Sequence, residues 1–280
     1  MIGDLHCHSV CSDGFNTTAQ IADFASRVGL THVSLTDHDT MKGVARFTEE
    51  AARFGITVIP GVECTCTDYK RGRSVHMLCY APKQPELLQE FLNQTLQRRR
   101  ESKLAMTEKI GKLYPLTYDD VLAASAESAS IHETHLIAPL AAMGYTPTVC
   151  GDLLKSLIGK NGSCSVPIRY PDVWDVVEMI RKTGGIAVLA HPGQFNSLDL
   201  AEELAREGLL DGIECFHPRN DAEVTQKSLT ICEKYNILVT GGTDFHGMYS
   251  ASPHPLGTCT TDETQLRRLL SMIDIASPTT

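Results

Sequence analysis

No stretch of the 280-residue sequence runs for 18 apolar residues without interruption, so nothing in it reads as a membrane-crossing helix. The first residues, Met1-Ile2-Gly3-Asp4-Leu5-His6, lack the basic start and apolar core of a secretory leader, and the protein is expected in the cytoplasm. Positive charge is also short. With 25 Lys and Arg against 34 Asp and Glu the formal charge is −9, which excludes a broad basic face for wrapping long nucleic acid. A small phosphorylated sugar or nucleotide is still compatible, provided that bound cations meet its charge locally. No Gly-x-Ser-x-Gly turn announces a serine nucleophile, and no Cys-x-x-Cys pair announces a thiolate metal site. The ten cysteines (7, 11, 64, 66, 79, 150, 164, 215, 232 and 259) are scattered through apolar runs and read as reduced, mostly buried thiols.

What is present is alternation. Thr31–Leu35 reads as a strand, Gly43–Phe54 as a helix, and Thr57–Ile59 and Val75–Tyr80 as strands. Later, helices over Val173–Arg181, Leu198–Arg206 and Glu223–Tyr235 alternate with strands at Gly185–Leu189, Gly212–Cys215 and Ile237–Val239. Strands separated by helices at this spacing predict a parallel sheet, closed or nearly closed. With 42% hydrophobic residues the chain can bury one large core. From Pro82 to Val166 the rhythm breaks into helical patterns over Gln84–Leu113, Tyr118–Ala126 and His135–Met143. The expected organisation is therefore a barrel from residues 1–81 and 167–270 with a helical insertion at 82–166 capping the active site. Ala276–Thr280 is expected to be disordered.

Chemistry-bearing residues recur where strands end. His6 and His8 lie two apart, so an extended segment presents both imidazoles on one face, and Ser12-Asp13-Gly14 follows. Asp37 and His38 follow the strand ending at Leu35, on the side where α/β enzymes place their sites, while Asp39 reads as a surface helix cap. Glu63 follows another apolar run, and its carboxylate could bridge two cations. His76 sits inside a strand, where a lone histidine is more often a core residue. His191 follows the strand to Leu189. Asp244 and His246 repeat the two-residue spacing after Gly241-Gly242, glycines expected to let the backbone turn around an ion. Mixed imidazole and carboxylate donors suit Mn, Fe or Zn. His217 follows a further strand, where protonating a leaving group and simple packing are equal readings. Arg98-Arg99-Arg100 is either a solvated helix face or the source of a pocket arginine.

These motifs, in this order from Asp4 to His246, resemble the PHP (polymerase and histidinol phosphatase) family of the amidohydrolase-like superfamily. The resemblance implies an α/β fold, a distorted (β/α)7 barrel, binding three divalent ions per chain, Mn2+ first with Fe2+ or Zn2+ as alternatives. It implies that His6, His8, Glu63 and Asp244 hold one ion, that Glu63 bridges to a second held by His76 and His191, and that Asp13, His38 and His246 hold the third. It also implies a substrate contact for His135 of the Thr134-His135 pair. Asp37 and His217 are the candidate catalytic side chains, and His135, Arg99 and Gln194 the candidate substrate contacts. The similar nucleotide phosphatases carry arginine where this chain has Glu133 and Gln194. Losing two bidentate phosphate clamps favours a small sugar cyclic phosphate over nucleoside bisphosphates or RNA ends. The expected reaction is diester opening followed by monoester hydrolysis, with a nucleoside 3',5'-bisphosphate phosphatase or 5'-to-3' exoribonuclease, a histidinol-phosphatase-like monoesterase and a non-catalytic metal-binding regulatory module as the alternatives.

Overall fold

The computed structural model describes residues 1–273, and the expected disorder of Ala276–Thr280 lies outside them. The chain opens with β1 (Gly3–Cys7), α1 (Thr18–Arg27), β2 (His32–Leu35), α2 (Val44–Ala52), β3 (Thr57–Val58), β4 (Gly61–Asp68) and β5 (Arg73–Tyr80). Four helices follow: α3 (Pro85–Gly111), α4 (Tyr118–Ala124), α5 (Glu133–Ala142) and α6 (Asp152–Ile158). Then come α7 (Val173–Lys182), β6 (Ile186–Leu189), α8 (Pro192–Phe195), α9 (Leu198–Arg206), β7 (Gly212–Phe216), α10 (Ala222–Tyr235), β8 (Leu238–Gly241) and α11 (Glu263–Met272).

Strands β1, β2 and β3 pair in parallel, and β4 to β8 form a second sheet in sequence order. The two sheets meet at both edges. Pro60 interrupts the run from β3 to β4, yet the chain keeps following β2, with Ile59 N donating to Val33 O at 3.0 Å and Glu63 N to Thr36 O at 3.2 Å. At the other edge Cys7 bridges Phe245 in parallel, and His8 N donates to Phe245 O at 2.8 Å. Counting β3 and β4 as one broken stave, seven staves ring the core. The distortion comes from β5, which runs antiparallel to both β4 and β6.

Period-two alternation decides what faces the ring's interior. On β5, Val75, Met77 and Cys79 pack outward with Val176, Val177 and Leu204, while Leu78 and Tyr80 point inward with Leu5 and Val188. His76 shares the parity of Leu78 and Tyr80. Glu63 on β4 and Glu214 on β7 likewise alternate with the outward residues Val62, Cys64, Ile213 and Cys215. Glu63 is thus the third residue of its own strand rather than a strand-end residue after Ile59.

The helices between β5 and α7 have their own core, built on Met106, Ile110, Val121, Leu136, Ile137 and Leu140. Helix α3 has 27 residues, a rod of ~40 Å. Its buried stripe is apolar at Leu88 and Leu92, polar at Thr95, Arg99, Ser102 and Lys103, and apolar again at Met106 and Ile110. All ten cysteines are unpaired, eight of them buried, as the sequence implies. Among the described residues no helix is long and apolar enough to cross a membrane.

Candidate metal centre

Three backbone turns deliver the key side chains, and each is strained. Asp39, His191 and Asp244 adopt positive φ angles of 56°, 26° and 54°. Such backbone persists only where the surroundings enforce it. Gly242 is needed for a different reason than a tight turn: a Cβ there would lie 2.3 Å from His6 Cβ, so β8 could not approach β1 closely enough to bring Asp244 to His6.

At the mouth of the ring four donor atoms converge. His6 Nε2 and His8 Nε2 are 3.1 Å apart, Glu63 Oε2 lies 3.3 and 3.2 Å from them, and Asp244 Oδ1 lies 3.5 and 3.1 Å from them. A tetrahedral cation with donors at ~2.1 Å has donor-to-donor edges of ~3.4 Å. The spacing therefore matches the edges of a coordination shell. Beside it, His38 Nδ1 is 3.1 Å from Glu63 Oε2, while His76 Nδ1 and His191 Nε2 are 2.7 and 2.9 Å from Glu63 Oε1. A looser group joins His246 Nε2, His38 Nε2 and His8 Nδ1 to Asp13 at 3.4, 3.9 and 3.8 Å. His8 Nδ1, His38 Nδ1, Glu63 Oε2 and His191 Nδ1 are buried without a hydrogen-bond partner. Donors left this way in a protein interior fit divalent cations, and the residue types fit the same ions.

All nine expected ligands thus share one pocket. The geometry differs from the expected partition in that His38 faces both Glu63 and Asp13, and His8 turns its second nitrogen toward Asp13. Burial opposes ionisation of Glu63, yet His76, His6 and His38 hold its carboxyl well below the usual carboxylate range. Burial opposes the charge of Asp13 and Asp244 too, and the surrounding imidazoles lower both. His8 responds in the opposite sense: burial lowers its pKa, but Asp244 and Glu63 push it up to about 10.

The other expected site residues divide between the pocket and the framework around it. Asp37, expected to be catalytic, accepts from Ser9 N at 2.8 Å, Ser9 Oγ at 2.7 Å and Ser12 Oγ at 2.5 Å, so it pins the turn that carries Asp13. Asp39 is no surface cap. It is fully buried, accepts from Thr65 N at 2.8 Å and pairs with Arg99 at 2.6 Å. Arg99, expected to touch substrate, is committed to Asp39, to Thr65 Oγ1 at 3.0 Å and to the ring of Tyr170 at 5.7 Å, while its neighbours Arg98 and Arg100 are exposed. His217 does reach the cluster, with Nε2 3.5 Å from Asp244 Oδ2. His135 accepts from His132 N through Nδ1 at 3.0 Å and lines, with Asp13 and Thr134, a cavity of about 210 Å³. Gln194 follows His191 on α8 with its Oε1 buried and unpartnered.

Two residues escaped the sequence reading. Glu214 is fully buried, accepts from His191 N at 2.9 Å and lies 2.9 Å from His6 Nδ1, which orients the imidazole. Its signal was a carboxylate inside the apolar run Gly212–Phe216. His132 stacks on His38 at 6.0 Å with its Nε2 buried and unpartnered, and its signal was the three-residue spacing to His135 at a helix start.

A family model described as the PHP domain matches residues 4–184. The chain belongs to the PHP family. A relative from Eggerthella lenta named phosphoribosyl 1,2-cyclic phosphate 1,2-diphosphodiesterase is 34% identical over 256 residues, covering 91% of this chain and 97% of its own. A 5'-3' exoribonuclease from Haemophilus influenzae is 27% identical, covering 87% and 89%. A crystal structure of a candidate metal-dependent phosphoesterase from Bifidobacterium adolescentis superposes with a TM-score of 0.88 at 31% identity, covering 96% of each chain. The fold is that of the PHP proteins, and the chain is a metal-dependent phosphoric ester hydrolase.

Proposed function

We propose that this PHP protein hydrolyses a small phosphorylated sugar, with preference for a phosphoribosyl cyclic phosphate diester that it opens and then cleaves to release phosphate. The observation that carries the hydrolytic reading is the convergence of His6, His8, Glu63 and Asp244 at coordination-shell spacing, with Asp13, His38, His76, His191 and His246 around them. The relative from Eggerthella lenta supports the diester, since it matches nearly the whole of both chains. Glu133, paired with Lys103, and Gln194 also support it, because neither offers a phosphate clamp.

We assign three divalent ions to this pocket, which His6, His8, Asp13, His38, Glu63, His76, His191, Asp244 and His246 would hold. Such ions would supply positive charge for the phosphate oxygens and a more acidic water. The chain's own residues do the rest. Glu214 and the Gly242 contact fix His6, while Asp37 fixes the Asp13 turn. His217 Nε2, unpartnered and beside Asp244, is placed to protonate the leaving oxygen. His135 binds substrate from the 210 Å³ cavity, and α3 to α6 act as a cap that excludes water.

The test is a panel of ribose cyclic phosphate diesters, sugar monoesters, nucleoside bisphosphates and short RNA, assayed for phosphate or nucleotide release with Mn2+. Diester turnover with phosphate as the final product is expected. Release from monoesters or RNA with no activity on any diester would overturn the substrate assignment.

A further inference from the structure

One imidazole beside the metal cluster comes from the helical segment rather than from the ring. His132 stands at the start of α5, and the residues leading to it are fastened on two sides. Ser128 Oγ donates to Ser12 O at 2.8 Å and Ala129 N to Cys11 O at 2.9 Å, while Ser130 Oγ donates to Leu96 O on α3 at 2.9 Å. His132 N then donates to His135 Nδ1 at 3.0 Å, which closes the first turn of α5. The backbone that carries His132 is thus tied to the same turn that carries Asp13.

The ring of His132 is buried and stacks on His38 at a centroid distance of 6.0 Å and an interplanar angle of 24°, yet its Nε2 has no partner. A polar atom left this way in an interior calls for a partner from outside the chain. His217 is in the same position. Its Nδ1 accepts from Arg219 N at 3.0 Å, which leaves the ring proton on Nε2, again without a partner. From His217 the rings of His6, His8 and His38 lead to His132 in centroid steps of 6.1, 5.1, 4.6 and 6.0 Å, and a second route passes through His191, His76 and His38. Three ligand imidazoles intervene by either route, so the two free nitrogens sit at different ends of the cluster. In-line displacement at phosphorus places the leaving oxygen opposite the incoming water. A diester has two such oxygens, and one fixed donor stands beside only one of them in a given pose.

We propose that His132, with its ring proton on Nε2, is a second hydrogen-bond donor to a leaving oxygen, so that His217 serves one ester bond and His132 the other. This rests on the reading of the site as a diester hydrolase that breaks both bonds. In each step the water oxygen bonds to phosphorus and the ester P–O bond breaks with its electron pair on the leaving oxygen. The proton given up by the water balances the one that the leaving oxygen gains. His132 stabilises the charge that builds on that oxygen and keeps its own proton count.

The experiment reads the dependence on the leaving group. An alkoxide leaves poorly and needs the donor, whereas 4-nitrophenolate bears its own charge well. Turnover of alkyl and 4-nitrophenyl esters by the Mn2+-loaded protein is compared in two classes, phosphodiesters and phosphomonoesters. His132→Phe keeps a ring against His38 and removes the donor. It is expected to lower the ratio of alkyl to 4-nitrophenyl turnover about 100-fold in one class, and His217→Phe to do so in the other. His132→Gln restores an N–H and should recover part of the ratio. An equal fall for both leaving groups would make His132 a packing residue and overturn the proposal. So would an unchanged ratio in every class that the protein hydrolyses, or a shift in the same class as His217→Phe. Failure of the diester reading shows separately, as absent diester turnover by the unmodified protein, and the monoester ratio then decides the role of His132.

Discussion

Arg99→Ala is the substitution that separates architecture from chemistry in this site. Arg99 is 3% exposed and Asp39 fully buried, so the variant leaves a carboxylate in the interior without its cation. Breaking a buried pair from one side costs about 3–5 kcal/mol. A chain of 280 residues unfolds with an entropy of ~0.6 kcal/mol/K, so the melting temperature should fall by about 5–8 °C. The damage should reach the metals as well. Asp39 follows His38 and its N donates to Glu63 O at 2.8 Å, so the loosened loop carries one expected ligand and is tied to the strand that carries a second. Thermal denaturation with and without Mn2+ measures both effects. Arg99→Met with Asp39→Asn removes both charges, keeps a residue that tolerates the positive φ of 56°, and should recover at least half of the loss. An Arg99→Ala melting temperature within about 1 °C of wild type would refute the reasoning, as would a double variant no better than the sum of its parts.

Glu214→Gln should lower metal affinity about 10- to 100-fold without unfolding the protein, because it weakens the partner that orients His6, and titration with a chromogenic chelator reads this directly. Metal binding should release protons: the metal-free chain holds His8 charged up to about pH 10 and His6 well above its ordinary range, so cations must displace those protons. The affinity should therefore rise with pH from 6 to 8, and calorimetry in buffers of different ionisation heats should count about one to two protons released at pH 7.

Most of the ligand set was legible because His38, His191, Asp244 and His246 follow apolar runs, which periodicity makes visible, whereas Asp13 and His76 were singled out by the family resemblance. Residues that act through contacts far along the chain were not. Arg99 and Asp39 are 60 residues apart, and one read as a helix surface or pocket arginine, the other as an exposed cap. Local rules cannot see that two buried opposite charges satisfy each other. Glu214 was hidden in the same way, its partner His6 being 208 positions away. The seven-stave ring was readable in outline, but β4 was missed: the strand was read as ending at Ile59, whereas the chain resumes the same ladder after Pro60. Helix α1 also escaped, although Thr17 and Gln20 form a capping box ahead of the buried Ile21, Ala22 and Ala25.

The most direct measurement is anomalous diffraction from crystals grown with Mn2+, paired with metal counts per chain for wild type and Asp244→Asn. The account predicts anomalous peaks among His6, His8, Glu63 and Asp244 and beside His38, His76 and Asp13, and a lower metal count with lost turnover in the variant. A pocket without anomalous peaks, or an Asp244→Asn protein with unchanged metal content and activity, would contradict it.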